Sequence, residues 1–293
     1  MAFSFPNLSN FKLEDSGILV SKAVLGTDLS NYIDVRPGYP EATVSINILD
    51  TVPQFENAAC GWVSGGTVSF TQINVTNATK AWKQSLCLED LRQYWLSTQL
   101  NASAYGTDLP FETAISDNIV LQTKKYAETL IGNSIIAQTG TASACVQGTA
   151  SVPTSSNTYD IVQALIDALP LNVQSREDLT VFMSYANFRK LQVSMIALNL
   201  FHYNTGETTG TGLGQSVMIP GTNVRAIPVA GFGTSNRIIV GPAKHIIMTC
   251  GLLDDTDRIE AWWSQDNQEM RLLSKFTMGV GVLAEEFVTN TLA

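Results

Sequence analysis

The chain has 293 residues, of which 45% are hydrophobic and 15% are charged, and its formal net charge is -9. Its length can bury one large core or two modest ones. The low share of charged residues, against about 25% on average, fits a surface that is neutral or covered by partners. The negative charge, without a cluster of lysines and arginines, excludes tight binding to nucleic-acid phosphates.

Cysteine and histidine content limits the redox and metal chemistry of the chain. The cysteines are widely spaced without a Cys-x-x-Cys pair, which predicts reduced thiols and synthesis inside a cell: Cys60, Cys87, Cys145 and Cys250. With His202 and His245 as the only histidines, no zinc site is predicted. No apolar run approaches the roughly 18 residues that span a bilayer, and the first residues lack a signal-peptide pattern.

The first third of the sequence predicts an arm followed by a long hairpin. Residues 1–42 have no sustained period, and two prolines and a glycine in 34–42 favour an extended or turning chain. Residues 43–50 alternate apolar and polar side chains, and 67–86 are rich in threonine, valine, isoleucine and aromatics, so both read as strands. The apolar parity changes near Gln72, which predicts a bulge or a twist. Residues 51–66 form the wide tip between the strands.

Helices follow the hairpin. Residues 88–100 have helical spacing, and 110–138 carry the clearest helical pattern, with Pro110 suited to the first turn. At 1.5 Å per residue this helix reaches roughly 40 Å. Its predicted apolar stripe consists of Phe111, Ile115, Ile119, Tyr126 and Leu130, widened by Val120, Ala127 and Ile131.

The second half alternates short helices and strands. Small polar residues in 139–158 predict a linker, and 205–214 predict a flexible loop. Helices are predicted at 159–170, where Pro170 ends the segment, and at 186–200. The continuous apolar run 179–185 predicts a buried strand. Further short strands are predicted at 223–230, 237–241 and 245–250.

The chain returns as a two-faced hairpin over Asp257–Leu283, with a polar turn at Gln265–Gln268. The second arm has period two, so one face is buried and the other is not; its apolar residues are Met270, Leu272, Phe276, Met278, Val280 and Val282. Trp262 and Trp263 are adjacent and therefore point to opposite faces. One face meets the core, and the other meets a second packing layer or a neighbouring subunit.

Catalytic motifs are not found in the sequence. Ser64 in "GWVSGG" lacks the glycine spacing of a nucleophile elbow, and the glycine loop 205–214 lacks the Gly-Lys-Ser/Thr of a phosphate loop. The position of His245 between two strands predicts a structural imidazole whose hydrogen bonds are satisfied. The carboxylates in 252–257 are more typical of a turn than of a calcium loop, and Glu285–Glu286 predict a solvated edge. We therefore expect no enzyme activity, no catalytic or cofactor-binding residue, no cofactor and no metal.

The order of these elements resembles the major capsid protein of tailed double-stranded DNA phages, of the Hong Kong 97 type. "TVSINILD" with "TVSFTQINVTNATKAWKQSL" matches the family's extended loop, and 110–138 matches its spine helix. "YDIVQALIDALPLNVQSREDLTVFMSYANFRKLQ" resembles the axial domain. "VMIPGTNVRAIPVAGF" resembles a glycine turn leading into a strand, and "RIIVGPAKHIIMTCGLLDD" resembles the return segment. The likeness covers nearly the whole chain.

The resemblance implies an α+β chain divided into arm, loop and two domains. Expected boundaries are 1–42 for the N-terminal arm and 43–87 for the extended hairpin loop. The peripheral domain would comprise 88–150 with 251–293, and the axial domain 151–250. The terminal hairpin would complete the peripheral sheet, with its second face on the spine helix or on a neighbour.

The implied function is a structural subunit of an icosahedral capsid, made in the host cytoplasm and incorporated in the virion. Expected partners are other copies in hexamers and pentamers, together with portal and scaffold or decoration proteins. Contact with packaged DNA would be weak, and no membrane partner is expected. Inter-subunit contacts are expected at Phe55 and Trp62, because a hairpin tip cannot bury large aromatics itself, and at Trp262 and Trp263.

Two features of the family have no counterpart in this sequence. Too few residues precede the hairpin for a cleaved scaffolding segment, so a separate scaffold, or none, is implied. No Lys and Asn pair can be assigned to covalent cross-linking. The alternative functions are an encapsulin-like bacterial compartment, a phage tail or baseplate protein, and a hydrolase whose site is assembled from distant residues.

Overall fold

The computed structural model describes residues 28–39, 43–53, 66–87, 111–139, 146–147, 151–200, 216–251, 258–267 and 269–290. These residues form an α+β fold. In chain order its strands are β1 (Asp34–Pro37), β2 (Thr43–Pro53), β3 (Gly66–Thr76), β4 (Ala78–Cys87), β5 (Val146–Gln147), β6 (Leu179–Met183), β7 (Val217–Met218), β8 (Arg225–Pro228), β9 (Ile238–Pro242), β10 (Ile246–Cys250), β11 (Arg258–Ser264), β12 (Glu269–Val282) and β13 (Val288–Thr289).

The helices are α1 (Phe111–Thr139), α2 (Thr158–Asp167), the short α3 (Leu171–Gln174) and α4 (Tyr185–Ala197). Single 3-10 turns lie at Asp28–Asn31, Ala230–Phe232, Ala243–His245 and Ala284–Glu286. The predicted helix over 88–100 and the glycine loop over 205–214 fall outside the described residues, and so does His202.

A five-stranded sheet is built around β12. Its strand order is β1-β10-β12-β11, and β4 pairs along the other edge of β12. β11 and β12 form the hairpin that the sequence predicts, with paired residues from Arg258↔Lys275 to Ser264↔Glu269. The prediction that the terminal hairpin belongs to a larger sheet is therefore confirmed.

A six-stranded sheet has the order β5-β13-β9-β6-β8-β7. β6 lies near its centre and all five of its residues are buried, which confirms the strand predicted from the apolar run at 179–185. α2 and α4 contribute their apolar faces to the core on this sheet. α4 begins where the sequence predicts a helix, because the Ser184 side chain accepts a hydrogen bond from Asn187 N and caps the first turn.

The long helix is confirmed, and its predicted apolar stripe is confirmed in part. α1 has 29 residues, which corresponds to about 43 Å at 1.5 Å per residue. In its described C-terminal part the buried side chains are Thr123, Ala127, Ile131, Ile135 and Thr139. Tyr126 is 46% exposed, although its ring still contacts Phe276 edge-on. The buried face therefore follows Ala127 and Ile131, which the sequence predicted only to widen the stripe, and continues to Ile135 and Thr139.

β2 and β3 form a separate two-stranded sheet. Their register runs unbroken from Thr43↔Thr76 to Pro53↔Gly66, so the bulge predicted near Gln72 is wrong. The predicted strand over 67–86 is divided at Asn77, whose buried side-chain oxygen accepts a hydrogen bond from the Thr249 hydroxyl. After Asn77 the chain changes partners: β3 pairs with β2, whereas β4 pairs with β12.

Both faces of β12 are covered near its C-terminal end. Leu272, Phe276 and Met278 pack into the core that contains α1. On the other face, a Cβ added to Gly281 would meet the side chains of Ile73 and Val75 in β3. The expectation of one unburied face is therefore wrong here: the first face meets the helix, and the second meets the hairpin of the same chain.

Candidate assembly surface

Among the described residues, the β2–β3 hairpin packs on its own chain at its base. The cluster that holds the base consists of Val44, Ile46, Ile73, Val75, Ile247 and Leu283. Each strand has 11 residues, a length of roughly 35 Å at about 3.3 Å per residue. An isolated two-stranded hairpin is marginally stable in water, so this hairpin depends on the cluster at its base.

Phe70 lies on the face of β3 opposite Ile73 and Val75, and it is 76% exposed. Alternation along a strand explains the difference: residues 73 and 75 share the parity that faces the chain's own core, whereas residue 70 has the other parity. Its cross-strand neighbour is Leu49. The hairpin thus presents a large aromatic ring on the face turned away from its own body, which is typical of a docking anchor.

The predicted contact residues of the hairpin tip, Phe55 and Trp62, lie outside the described residues. Phe70 was missed by the sequence reasoning, because the parity change was interpreted as a bulge. The sequence did contain a signal for Phe70: the change in parity places it on the face of β3 opposite Ile73 and Val75, which form the base.

The second predicted contact region is the hairpin β11–β12. Trp262 is 39% exposed and stands opposite Arg271 in the register. Trp263 follows it in the same strand, opposite Met270. Arg271 Nε donates to Glu269 Oε1 at 2.8 Å, and this hydrogen bond lowers the pKa of the Glu269 carboxyl. Tryptophan and arginine are both enriched in protein interfaces relative to the rest of the protein surface.

A third apolar surface runs along α4 and its C-terminal end. Val193 is 50% exposed and Ile196 is 57% exposed. They lie three residues apart and therefore on one side of the helix, and Leu198 extends the surface beyond the helix end with 49% exposure. This side of α4 is directed away from the core of the six-stranded sheet.

An ionic cluster joins the two sheets. Arg176 donates to both carboxylate oxygens of Asp178, at 2.9 and 3.1 Å. His245 Nδ1 lies 2.6 Å from Glu286 Oε2, and Arg176 Nη1 lies 3.9 Å from the same oxygen. The sequence predicted that Glu285 and Glu286 form a solvated edge. Glu285 is exposed, but the prediction is wrong for Glu286, because its carboxylate faces a guanidinium and an imidazole. His245 lies between β9 and β10 as predicted, but its Nδ1, 2.6 Å from Glu286 Oε2, completes no hydrogen bond of normal geometry, which departs from the satisfied imidazole that was expected.

Burial by itself raises the pKa of the Asp178 carboxyl, but the hydrogen bonds and positive charge of Arg176 outweigh that effect. The net result is a pKa below the usual value. Asp178 also lines a cleft of about 280 Å³ with Tyr32, Arg225 and Lys244 on its walls. His245 is not among the lining residues, so this cleft does not bring the histidine and the carboxylates together as the hydrolase alternative requires.

The described part of the chain contains no group of three histidine, cysteine, aspartate or glutamate residues placed to hold a metal ion. Among the described helices, none is both long enough and apolar enough to cross a membrane. Cys87 and Cys250 are present as thiols. The carboxylates of 252–257 lie outside the described residues.

Comparison with solved structures identifies the fold. "Satellite phage P4 procapsid including size determination (Sid) protein" aligns with a TM-score of 0.61 at 10% identity, over 97% of this chain and 94% of that chain. "The capsid of Myoviridae Phage XM1" aligns with a TM-score of 0.52 at 13% identity, over 100% and 99% of the two chains. "Capsid of native GTA particle computed with C5 symmetry" gives 0.54 at 12% identity, over 100% and 95%.

The chain has the phage capsid fold. No protein-family model matches the sequence, and no curated protein matches it. The identity to the structures above is only 10–13%, so the likeness is one of three-dimensional fold. Each alignment extends over nearly the full length of both chains, so the hairpin and both sheets belong to the aligned fold.

Proposed function

We propose that the chain is the major capsid protein of a tailed phage, a structural subunit that assembles with copies of itself into an icosahedral shell around double-stranded DNA. The observation that carries this proposal is the alignment with capsid structures over 97–100% of the chain. A partial match would be compatible with a shared domain in a protein of another function. An alignment over the whole chain includes the β2–β3 hairpin, whose Phe70 is largely exposed in the single chain.

The finer Hong Kong 97-type layout is part of the proposal. α1 serves as the spine helix and packs across the five-stranded sheet, of which strands β11 and β12 lie in the proposed peripheral domain at 88–150 and 251–293. Strands β6 to β9 of the six-stranded sheet fall within 151–250, the proposed axial domain. β2 and β3 supply the extended loop within 43–87, and 1–42 form the N-terminal arm.

The β2–β3 hairpin is the proposed inter-subunit arm. Its base is held by its own chain, whereas Phe70 on the opposite face is 76% exposed. In a hexamer or pentamer a neighbouring copy would cover that face, and Phe55 and Trp62 at the tip would extend the contact. Burying a phenylalanine side chain that was exposed contributes about 1.5–3 kcal/mol, and this contribution recurs at every copy of the interface.

Trp262 and Trp263 are proposed as a second contact between subunits. Trp262 combines partial exposure with a neighbouring ion pair between Arg271 and Glu269, a combination of aromatic and arginine residues that is enriched in interfaces. The position of Trp263 in the same strand is consistent with a role on the opposite face.

The remaining partners follow from the proposed role. Portal and scaffold or decoration proteins would contact the shell, and packaged DNA would contact it weakly, because the net charge of -9 opposes phosphate binding. The protein would be made in the host cytoplasm and reside in the virion. No catalytic role is proposed.

The test is to produce the full chain and examine it by electron microscopy and analytical ultracentrifugation. Closed shells, formed by the chain alone or with a co-expressed scaffold, would support the proposal. Rings or open tubes would favour a tail or baseplate protein instead. A chain that remains a small monodisperse species in every condition, including co-expression, would overturn the assignment.

A further inference from the structure

The six-stranded sheet carries two helices side by side on one of its faces. α2 and α4 share one apolar core with this sheet, whereas α1 belongs to the core on the other face. The sides of α2 and α4 that are turned away from the sheet are exposed. Along each helix, exposed residues recur three, four and seven positions apart, so each helix presents one continuous stripe.

The exposed stripe of α4 combines apolar side chains with positive charge. Val193 and Ile196 are half-exposed, and the exposed Arg189 lies one turn before Val193. α4 contains Arg189 and Lys190 but no aspartate or glutamate. Lys190 Nζ donates to Pro153 O at 3.0 Å, which is a neutral acceptor, so this hydrogen bond does not compensate its charge.

The exposed stripe of α2 is acidic. Asp160 and Asp167 are exposed and lie seven residues apart on one side of the helix, with the small Ala164 between them. α2 contains no lysine or arginine, and just beyond its end Leu171 is 85% exposed. Among the ion pairs of the described residues, none includes Asp160, Asp167 or Arg189. The two helices are neighbours, yet they do not pair these charges within one chain.

The charges of the two stripes select a second copy of the chain as the molecule that covers them. Each copy has a net charge of -9, so copies repel one another unless a contact brings unlike charges together. Two α4 stripes would bring cations together, and two α2 stripes would bring carboxylates together. The α4 stripe of one copy on the α2 stripe of another pairs unlike charges and also covers exposed apolar side chains.

We infer that α2 and α4 form a contact between copies, in which the α4 stripe of one copy packs on the α2 stripe of another. This inference rests on the proposed function, because it requires that copies assemble. α4 is about 20 Å long and packed helices lie about 8–10 Å apart, so the two stripes offer on the order of 400 Å². A standard interface uses roughly 800 Å² per partner, so this contact adds to that of the β2–β3 hairpin, and its loss should weaken assembly.

The test reverses charges in the full chain and measures, by light scattering, the concentration at which copies assemble. Arg189→Glu places like charges in the contact, and so does the paired change of Asp160→Lys with Asp167→Lys. Each should raise that concentration roughly fivefold or more, and the effect should shrink in high salt. A chain with all three changes should return to within about twofold of the unmodified chain, because unlike charges face each other again.

Mixing the two defective chains in equal amounts separates a contact between copies from an interaction within one chain. In the mixture, the reversed α4 of one chain meets the reversed α2 of the other, and the two unmodified stripes also meet. Assembly should therefore recover. A mixture that stays defective would overturn the contact, and so would a chain with all three changes that does not recover.

Lys125→Glu is the matched control, because it makes the same change in net charge as Arg189→Glu at an exposed position of α1. It should assemble like the unmodified chain. Impairment equal to that of Arg189→Glu would show that only the net charge matters, which would overturn the contact.

Ile196→Ser is an independent variant that leaves the charge unchanged, should the reversed chains fold poorly. It should weaken assembly, while the melting temperature of the unassembled subunit should stay the same because the side chain is more than half exposed. A lower melting temperature with normal assembly would show that Ile196 serves its own chain and would overturn the contact.

The outcomes for this contact and for the proposed function are distinguishable. If charge reversal and its recovery control the assembly of rings or tubes, the contact stands and the capsid assignment fails. If closed shells form equally well from every variant, the contact fails and the assignment stands. A chain that remains monomeric in every condition would overturn both.

Discussion

The Gln138 side chain completes the edge of β12 at Val282. Gln138 Oε1 accepts a hydrogen bond from Val282 N at 2.8 Å, and its Nε2 donates to Val280 O at 2.8 Å. β4 pairs with β12 only as far as Met278, so the amide of Gln138 replaces a strand partner where the ladder ends. One side chain near the end of α1 thereby attaches the helix to the central strand of the five-stranded sheet.

Replacing Gln138 with alanine should destabilise the subunit by about 1–3 kcal/mol, because it leaves two backbone groups of a partly buried strand without partners. Chemical denaturation of the unassembled chain measures the change. Asn133→Ala, an exposed polar position of the same helix, is the matched control and should be nearly neutral. Equal stability of the two variants would contradict the role assigned to Gln138.

Gly231→Ala should destabilise the subunit by about 1–3 kcal/mol, the usual cost of overpacking. A Cβ at this position would lie 2.7 Å from Gly132 Cα and from the carbonyl oxygens of Glu128 and Thr129. These are backbone atoms of α1, so the whole helix would have to move. Thermal melts of Gly231→Ala and of the exposed neighbour Ala230→Ser compare the two positions, and an unchanged melting temperature for Gly231→Ala would show that the helix can move freely.

Phe70→Ser should leave the stability of the unassembled subunit nearly unchanged but weaken assembly. The ring is largely exposed in the single chain, so its loss costs the monomer little. The loss of a phenylalanine anchor of about 1.5–3 kcal/mol should raise the concentration needed for shells more than tenfold. Light scattering against concentration measures this effect.

The matched variant is Ile73→Ser, three residues along β3 but on the buried face. It should lower the melting temperature of the subunit itself. If Phe70→Ser also lowers that temperature, or if it assembles at the normal concentration, then the ring does not contact a neighbour.

Replacing residues 53–64 with a short Gly/Ser turn should give a folded subunit that does not form closed shells. The base of the hairpin is held by Val44, Ile46, Ile73 and Val75, which the replacement keeps, so folding is expected to survive. Trp62→Ala alone should weaken assembly by about 1–3 kcal/mol per contact. Circular dichroism reports folding and light scattering reports assembly, and a tip-deleted variant that still closes shells would refute the contact.

Acid stability should depend on Arg176. The folded-state pKa of Asp178 is lowered, so its ionised form stabilises the fold above the ordinary carboxyl range and this stability is lost as the pH falls through the folded pKa. Arg176→Gln should therefore narrow the stability difference between pH 7 and pH 3, modestly because the pair is partly exposed. Arg189→Gln, at an exposed site, is the control. If the free energy of unfolding depends on pH in the same way for both variants, Arg176 does not lower the pKa of Asp178 as stated.

The periodicity of apolar residues was enough to predict individual helices and strands, but not which of them pack against one another. The length and pattern of 110–138 predicted α1, and the apolar run at 179–185 predicted β6. The same pattern placed Tyr126 in the centre of the stripe of α1 and Ala127 and Ile131 at its margin, because all of them match helical spacing. What decides between them is the close approach of Gly132 to Gly231, two residues whose contact is not encoded in local hydrophobicity.

Contacts between distant residues also explain the other differences. The parity change at Gln72 reflects a hairpin whose base and exposed ring use opposite faces, and a single sequence does not say which face another molecule covers. Glu286 was predicted to be solvated because its partners Arg176 and His245 are remote in sequence. Charged partners of this kind become visible only when the fold brings them together.

The pairing of β4 with β12 has a consequence for the order of synthesis. The hydroxyls of Thr79 and Thr277 lie 3.1 Å apart although 198 residues separate them. Such long-range pairing forms late, so β4 has to wait for β12 while the ribosome makes the intervening chain. During that interval the hairpin lacks the covering strand at its base and cannot hold its final orientation. A nascent chain is therefore unable to offer a finished arm to a neighbour, which separates folding from assembly in time and limits premature association between growing chains.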